Sequence, residues 1–227
     1  MPKSIVYNED CLPRMRQMAD NAFSLAICDV PYGISRSGQK LSICKKTQHN
    51  RKYFEDKKWD SSIPQPSFFT ELFRVSQNQI LWGANYFPQY LTASRGWIYW
   101  DKGQEGLTMS DGELAWTSFN LPLRKIIINR SIFTRQTELT IHPTQKPIKL
   151  YKWLLKNYAK QGQTVLDTHG GSFSSRIACY DLGFDFVGFE NDADYFKAAE
   201  ERFQNHIKQP NLFAAEKIQP KQMVMFG

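Results

Sequence analysis

The sequence predicts an α/β fold in which helices cover a doubly wound, mostly parallel sheet. Short apolar runs alternate with longer amphipathic segments, and small or charged residues follow the apolar runs. That alternation is typical of a helix-covered parallel sheet rather than a sandwich. The predicted strands are residues 23–29, 79–83, 97–101, 114–118, 124–129, 164–167 and 184–190, and the predicted helices are residues 12–18, 67–76, 148–160, 174–182 and 192–206.

Length and composition indicate one compact domain. The chain has 227 residues, enough for a full α/β core, and we expect a single domain at 1–207 with a flexible tail at 208–227. No apolar run is long enough to suggest a membrane span, and the first residues lack the apolar stretch of a signal peptide. The four cysteines include no Cys-x-x-Cys pair, so neither a metal site nor a disulfide framework is indicated.

The charge of the chain favours a polyanionic partner. The formal net charge is +7 and the pI is near 9.2. A loop at about 35–60 has little apolar periodicity, and the alternative to phosphate contact is a solvated surface loop. The basic residues expected to contact nucleic-acid phosphates are Arg36, Lys40, Lys45, Lys46, Arg51, Lys52, Lys57 and Lys58 in this loop, and Arg130 beyond the predicted strand at 124–129.

A carboxylate, a proline and an aromatic ring follow the first predicted strand. Asp29, Pro31 and Tyr32 lie at the strand's carboxyl end, where open α/β sheets bind ligands. The carboxylate can accept hydrogen bonds from the edge of a flat ring, and the tyrosine can stack on its face. An Asp-x-Pro turn without a ligand is the alternative for this motif alone.

A second motif predicts a nucleotide-type cofactor loop. Asp167 ends a short apolar strand, and the small residues of 168–172 lead into a helix whose amide groups face a ligand. The next strand ends at Glu190, about 23 residues after Asp167, close to the spacing at which an acidic side chain binds ribose hydroxyls.

The segment His142-Pro-Thr-Gln-Lys-Pro147 lies between these motifs and completes a family resemblance. With DVPYG before it and DTHGGSF after it, the chain resembles DNA amino-methyltransferases that use S-adenosylmethionine and carry the catalytic tetrad before the cofactor loop. The similarity spans roughly residues 5 to 205 and is strongest among small phage or prophage members. HPTQKP is the most specific part of the match.

The resemblance implies a Rossmann-like methyltransferase sheet with one antiparallel strand near its C-terminal edge, and methyl transfer to N6 of a flipped-out adenine in DNA. It also implies a cytoplasmic location in a bacterial or phage-infected cell, a homodimer in some members, and a role such as restriction-modification. Asp29, Pro31 and Tyr32 would be catalytic. The cofactor would contact Asp10, Asp29, Lys146, Asp167, Thr168, His169, Gly170, Gly171, Ser172 and Glu190.

Two positions depart from the family pattern. Val30 replaces the first proline of the tetrad, while Pro31 still fixes the turn. Phe173 stands where the family has the last glycine of the cofactor loop, and a ring there either weakens cofactor binding or turns into the protein. Three alternatives to adenine methylation are open. They are cytosine-N4 methylation, a DNA-binding relative without catalysis, and methylation of an amino or amide group in RNA or protein.

Overall fold

The computed structural model describes residues 1–38, 54–106, 110–129 and 140–208. Eight strands form one sheet with the order β1-β8-β7-β2-β3-β5-β4-β6. The strands are β1 Ser4–Tyr7, β2 Leu25–Cys28, β3 Gln79–Trp82, β4 Trp97–Asp101, β5 Gly112–Thr117, β6 Arg124–Ile127, β7 Thr164–Asp167 and β8 Asp185–Phe189. The helices are α1 Cys11–Met15, α2 Pro66–Val75, α3 Ile148–Tyr158, α4 Ser174–Leu182 and α5 Ala193–Lys208.

The predicted fold class is confirmed. All seven predicted strands are present, and every strand pair is parallel except those that β5 makes with β3 and β4. The expected antiparallel strand is thus β5, third from the β6 edge. Because only ten residues join β4 to β5, the chain returns antiparallel beside β4, whereas a parallel return needs a longer crossover.

The first strand was not predicted. β1 covers only Ser4–Tyr7 at the edge of the sheet, and none of its four residues is fully buried. Its register places Ser4 opposite Phe186 and Tyr7 opposite Phe189. The prediction failed because this strand depends on its pairing with β8, 180 residues away in sequence, rather than on a long apolar run.

Two apolar cores cover the two faces of the sheet. One includes α3 and α4 residues such as Leu150 and Ala178, and the other includes α2 residues such as Phe69 and Leu72. Each of the central strands β2 and β3 is buried along its whole length. Helices on both faces bury the sheet and leave the carboxyl ends of its strands as the accessible edge for a site.

The described residues contain no helix long and apolar enough to cross a bilayer. The same residues hold no cluster of three or more His, Cys, Asp or Glu side chains that could bind a metal ion. The predicted tail at 208–227 lies outside the described residues, apart from Lys208 at the end of α5.

Candidate active site

Acidic side chains follow four adjacent parallel strands at one edge of the sheet. Asp10 comes after β1, Glu190 after β8, Asp167 at the end of β7 and Asp29 after β2. Because these strands are neighbours in the order β1-β8-β7-β2, the chain brings all four predicted acids to the same edge.

Asp29 lies in a dense network of hydrogen bonds. Its Oδ1 accepts from Lys146 Nζ at 2.5 Å and from the Tyr32 hydroxyl at 2.7 Å. Lys146 Nζ also lies 3.1 Å from the Tyr32 hydroxyl, and only 3% of its side chain is exposed. The HPTQKP segment therefore places its lysine beside the tetrad, and the predicted contact of this lysine with the cofactor stays a prediction.

Glu113 and Lys102 complete this network, and neither was a predicted site residue. Glu113 Oε2 lies 3.0 Å from Lys146 Nζ, and Glu113 Oε1 lies 2.5 Å from Lys102 Nζ. Glu113 lies in β5, which begins at Gly112, and Lys102 directly follows the adjacent antiparallel strand β4. The signal in the sequence that could have pointed to them is their charge, because Lys102 directly follows the predicted strand at 97–101 and Glu113 directly precedes the one at 114–118.

Burial and charge shift the pKa values of this cluster in different directions. Burial raises the pKa of Asp29, and the nearby Glu113 raises it further, while Lys146 opposes the shift. Burial also acts to raise the pKa of Glu113, but Lys146 and Lys102 outweigh it and lower the value to about 2. Burial acts to lower the pKa of Lys146, but Asp29 and Glu113 outweigh it and raise the pKa. The lysine is thus a buried cation shared by two carboxylates.

Asp60 holds the backbone of the tetrad turn. Its Oδ1 accepts from the backbone N–H groups of Tyr32 and Gly33 at 2.6 and 3.0 Å, and its Oδ2 accepts from the Arg36 N–H at 2.9 Å. Asp60 is 2% exposed. A buried carboxylate that accepts three amide hydrogen bonds fixes this turn strongly.

The Tyr32 ring lies against the backbone at Gly83. A Cβ at Gly83 would come within 2.0 Å of Tyr32 Cε1, so no other residue fits here without moving the ring. Tyr86 stacks on Tyr32 with ring centroids 5.1 Å apart and planes 11° apart. Tyr86 is 43% exposed, so an aromatic surface continues from the tetrad toward solvent.

The cofactor loop is built around Asp167. Its Oδ2 accepts from the Ser175 hydroxyl at 2.5 Å, and its Oδ1 accepts from the His169 N–H at 3.1 Å. Burial raises the pKa of Asp167 to about 7 and lowers that of His169 to about 4. His169 lies against the Phe68 ring of α2, and the Thr168 hydroxyl lies 2.9 Å from its Nδ1.

Glu190 closes the loop from the β8 side. Its Oε2 accepts from the Gly171 N–H at 2.7 Å, and its Oε1 accepts from the Asp192 N–H at 2.8 Å. Gly171 has φ +52, a left-handed conformation that residues with side chains rarely adopt, and a Cβ there would lie at an ordinary contact distance of 3.6 Å from the His142 ring. A backbone cradle flanked by acids suits a ligand with cationic and hydroxyl groups, which S-adenosylmethionine has.

Phe173 turns into the protein. Its ring is fully buried, edge-on to Phe186 and Phe196 at centroid distances of 6.1 and 6.2 Å. A Cβ at Gly170 would lie 1.9 Å from Phe173 Cε1, and a Cβ at Gly188 would lie 2.8 Å from the same atom. The backbone of Phe173 is left-handed, with φ 50 and ψ 37. The loop thus keeps the conformation that a glycine would adopt and sends the ring into the core.

The end of the basic loop crosses toward the β8 side of the site. Lys57 Nζ lies 2.7 Å from Asp192 Oδ1 and 2.6 Å from Asp194 Oδ2, and it lies over the Tyr195 ring. Trp59 packs on His142 with centroids 5.0 Å apart. The segment ending at Asp60 therefore spans from the tetrad to the turn after β8.

The predicted DNA contacts divide into three groups. Lys57 is ion-paired as described above, whereas Lys58 is exposed and Arg36 is partly buried in a 3₁₀ turn at Arg36–Gly38. The remaining six, Lys40, Lys45, Lys46, Arg51, Lys52 and Arg130, lie outside the described residues. Asp10, predicted at the cofactor, accepts the N–H of Leu12 at 2.9 Å and caps α1.

Comparison with known families gives a clear match. The model of the DNA methylase family (N6_N4_Mtase) matches residues 39–201, more than two-thirds of the chain. The chain belongs to this DNA methylase family. The match includes Glu113, Lys146, the cofactor loop and Glu190, and it begins after the Asp29–Tyr32 tetrad.

Curated relatives of this chain are type II and adenine methyltransferases. It is 21% identical over 200 residues to the type II methyltransferase M2.MboI of Moraxella bovis, covering 87% of this chain and 64% of that protein. It is 26% identical over 151 residues to M2.DpnII of Streptococcus pneumoniae, covering 64% and 49%. The chain thus spans about half to two-thirds of the length of these relatives.

Solved methyltransferases share the fold of this chain. The M1.HpyAVI complex with S-adenosylmethionine has a TM-score of 0.56 at 16% identity, covering 88% of this chain and 99% of that one. The cytosine-N4-specific PvuII methyltransferase has a TM-score of 0.60 at 14% identity, covering 96% and 90%. At these identities the likeness shows the fold.

Proposed function

We propose that the protein transfers a methyl group from S-adenosylmethionine to the exocyclic N6 of an adenine flipped out of DNA. The observation that carries this proposal is the hydrogen bonding of Asp29. Among the described residues, its side-chain donors are the Tyr32 hydroxyl and Lys146 Nζ, and both donate to Oδ1. Its Oδ2 is left to accept an N–H of a base amino group. S-adenosylmethionine supplies, when bound, a methyl group on a sulfonium centre.

The tetrad residues act on the amino nitrogen. This nitrogen is conjugated with the base ring and is a weak nucleophile, so it must be held with its lone pair directed at the methyl group. Asp29 Oδ2 and a backbone carbonyl of the tetrad turn would accept its two N–H groups. The Tyr32 ring supplies a stacking surface for the flipped base.

The acidic side chains at the carboxyl ends of the parallel strands would bind the cofactor. Asp167 and Glu190 would bind the cationic and ribose ends of the cofactor, and the backbone of Gly170 and Gly171 would approach it closely. Because the Phe173 ring is inside the core, it leaves the loop surface clear. This placement supports an active enzyme over a relative that only binds DNA.

The neighbouring cysteine is unsuited to attack on a base carbon. Cys28 is fully buried, and burial raises the pKa of its thiol to about 12. Transfer to cytosine C5 needs a thiolate nucleophile, so amino-group transfer is favoured.

Adenine is preferred over cytosine as the target. An aspartate rather than a serine opens the tetrad, and the Escherichia coli DNA adenine methyltransferase YhdJ is 38% identical over 56 residues, covering 25% of this chain and 19% of that protein. Cytosine N4 is the second candidate, because its amino group presents the same chemistry and the PvuII enzyme shares the fold.

The test is methylation of mixed-sequence DNA with labelled S-adenosylmethionine, followed by nucleoside analysis. We expect label in N6-methyl-2′-deoxyadenosine and its loss, by about a hundredfold or more, in Asp29→Ala. Asp181→Ala is the matched control, because this carboxylate pairs with Lys152 and His206 away from the tetrad. Label only in N4-methyl-2′-deoxycytidine would select the second candidate. No label in DNA, together with label in RNA supplied in a parallel reaction, would overturn both.

A further inference from the structure

The charge cluster at the tetrad is balanced, with two carboxylates and two ammonium groups. Lys146 is 4% exposed and lies between Asp29 Oδ1 at 2.5 Å and Glu113 Oε2 at 3.0 Å. Lys102 is 7% exposed and lies on the far side of Glu113. A buried cation of this kind is held only where its anionic partners are fixed.

Glu113 is fixed from both sides. Its Oε1 is bound by Lys102, while its Oε2 faces Lys146 and lies 3.3 Å from the Tyr32 hydroxyl. The β4–β5 pairing sets this arrangement, because it aligns Glu113 with Trp100, two residues before Lys102. Glu113 therefore offers Lys146 a rigid second site.

The position of Lys146 creates a conflict for amino-group binding. An ammonium held on Asp29 Oδ1 draws negative charge from the carboxylate, because ion pairs in low dielectric are strong. It therefore weakens the hydrogen bond that Asp29 Oδ2 can accept from an N–H of a neutral base. Asp29 becomes a better acceptor if the ammonium has another carboxylate within reach. Glu113 meets that requirement without any movement of the backbone.

On the DNA amino-methyltransferase function proposed above, we propose that Glu113 is a positioning residue that shares the Lys146 ammonium with Asp29 and takes it over when a target amino group binds Asp29. Lys146 keeps its charge throughout, so no proton or bond changes in this step. Lys102 balances Glu113 as the ammonium moves. Lys146 of the HPTQKP segment thereby acts on Asp29, where the target base would bind.

The first test is titration of the Asp29 carboxyl by ¹³C NMR in protein labelled at aspartate Cγ, with the resonance assigned by its loss in Asp29→Asn. The ionisable groups around Asp29 are Lys146, Glu113 of β5, Tyr151 of α3, Asp167 of β7, and Tyr32 and Cys28 beside it. Substitution of only one of them at a time isolates its effect.

The two partners of Lys146 should shift this titration in opposite directions. Glu113→Gln removes a negative charge and makes Asp29 the one carboxylate partner of Lys146 in this cluster, so the midpoint of the Asp29 titration falls. Lys146→Met removes the cation, so the midpoint rises. Lys102→Met gives a second upward shift if Lys146→Met does not fold. Glu71→Gln is the matched control, since Glu71 is 19% exposed against 22% for Glu113 and pairs with Arg74 on α2.

Kinetics supply the second readout. We expect Glu113→Gln to lower kcat for methyl transfer by about tenfold or more, the effect of losing a hydrogen bond to a charged group, with little change in KM for DNA. Shifts in the same direction for Glu113→Gln and Lys146→Met, or an unchanged kcat in Glu113→Gln, would overturn the inference. If the unmodified protein does not methylate DNA, the proposed function fails while the NMR titration still decides whether the two carboxylates share Lys146.

Discussion

The Phe173 ring occupies the space that a side chain on Gly170 would need. A Cβ at Gly170 would lie 1.9 Å from Phe173 Cε1, and Phe173 N–H donates to the Gly170 carbonyl at 2.7 Å. Gly170 therefore leaves the space that the Phe173 ring fills. Phe173, which stands where the family has the last glycine of the loop, is part of the core.

The variant Phe173→Gly should lose stability without gaining cofactor affinity. Emptying the core outweighs the relief of left-handed strain, so the free energy of unfolding should fall by about 2–4 kcal/mol. Urea unfolding measures the loss, and calorimetric titration with S-adenosylmethionine measures the affinity. Phe203→Ala, a buried ring of α5, is the control and should lose comparable stability with unchanged affinity. Binding by Phe173→Gly alone would show that the ring blocks the site.

The variant Asp60→Asn should slow methyl transfer through the tetrad backbone. An amide has one acceptor oxygen, so its NH₂ group must face either the Arg36 N–H or those of Tyr32 and Gly33. We expect stability to fall by about 1–3 kcal/mol and kcat to fall about tenfold, with the Kd for S-adenosylmethionine little changed.

The control for Asp60→Asn lies four residues away. Asp56 accepts from Ser37 at 2.6 Å and from the Lys58 N–H at 3.1 Å, and neither bond touches the tetrad. Asp56→Asn should therefore keep kcat near that of the unmodified protein. Equal losses of kcat in both variants would indicate a general effect of the loop rather than control of the tetrad turn.

The sequence predicted those parts of the site that are local. Asp29, Asp167 and Glu190 each follow an apolar run, so their placement at strand ends follows from the strands themselves. The Lys146–Glu113 pair was missed because it depends on the insertion of β5 between β3 and β4, which no local pattern encodes. The hydrogen bonds of Asp60 span 24 to 28 residues, so they were equally hidden.

The direction of the Phe173 ring was also beyond sequence reasoning. It depends on two glycines, Gly170 in the same loop and Gly188 in β8, that leave room for one phenyl ring. The sequence shows a phenylalanine in place of a glycine, and only the packing shows that the chain keeps the glycine-like backbone at that position.

Asp167 should make the stability of the protein depend on pH. Its pKa is raised by burial to about 7, against 3.8 for an ordinary aspartate, so the folded chain binds the extra proton between these values. The contribution of Asp167 to the free energy of unfolding therefore falls as the pH rises from about 4 to 7. Asp167→Asn should be more stable than the unmodified protein by about 2–4 kcal/mol at pH 8, and by much less at pH 4.

Urea unfolding of both proteins across this pH range measures the difference. Comparison of the two at each pH cancels the contributions of other groups, including the buried histidines. Ser175→Ala removes the hydroxyl that donates to Asp167 at 2.5 Å, so it should move the fall in stability to higher pH. A difference between Asp167→Asn and the unmodified protein that does not change with pH would contradict this role of burial.

The adjacent lysines Lys57 and Lys58 should differ in their contribution to DNA binding. Lys57 is ion-paired to Asp192 and Asp194, whereas Lys58 is exposed, so only Lys58 has its charge available to phosphate. Lys58→Gln should weaken DNA binding and reduce the slope of log K against log salt by about 0.9, the value for one lost phosphate contact. Lys57→Gln should leave that slope unchanged and lower stability by about 1 kcal/mol. Fluorescence anisotropy with a DNA duplex at several salt concentrations measures the slopes, and a reduced slope in Lys57→Gln would mean that DNA draws this lysine away from the two aspartates.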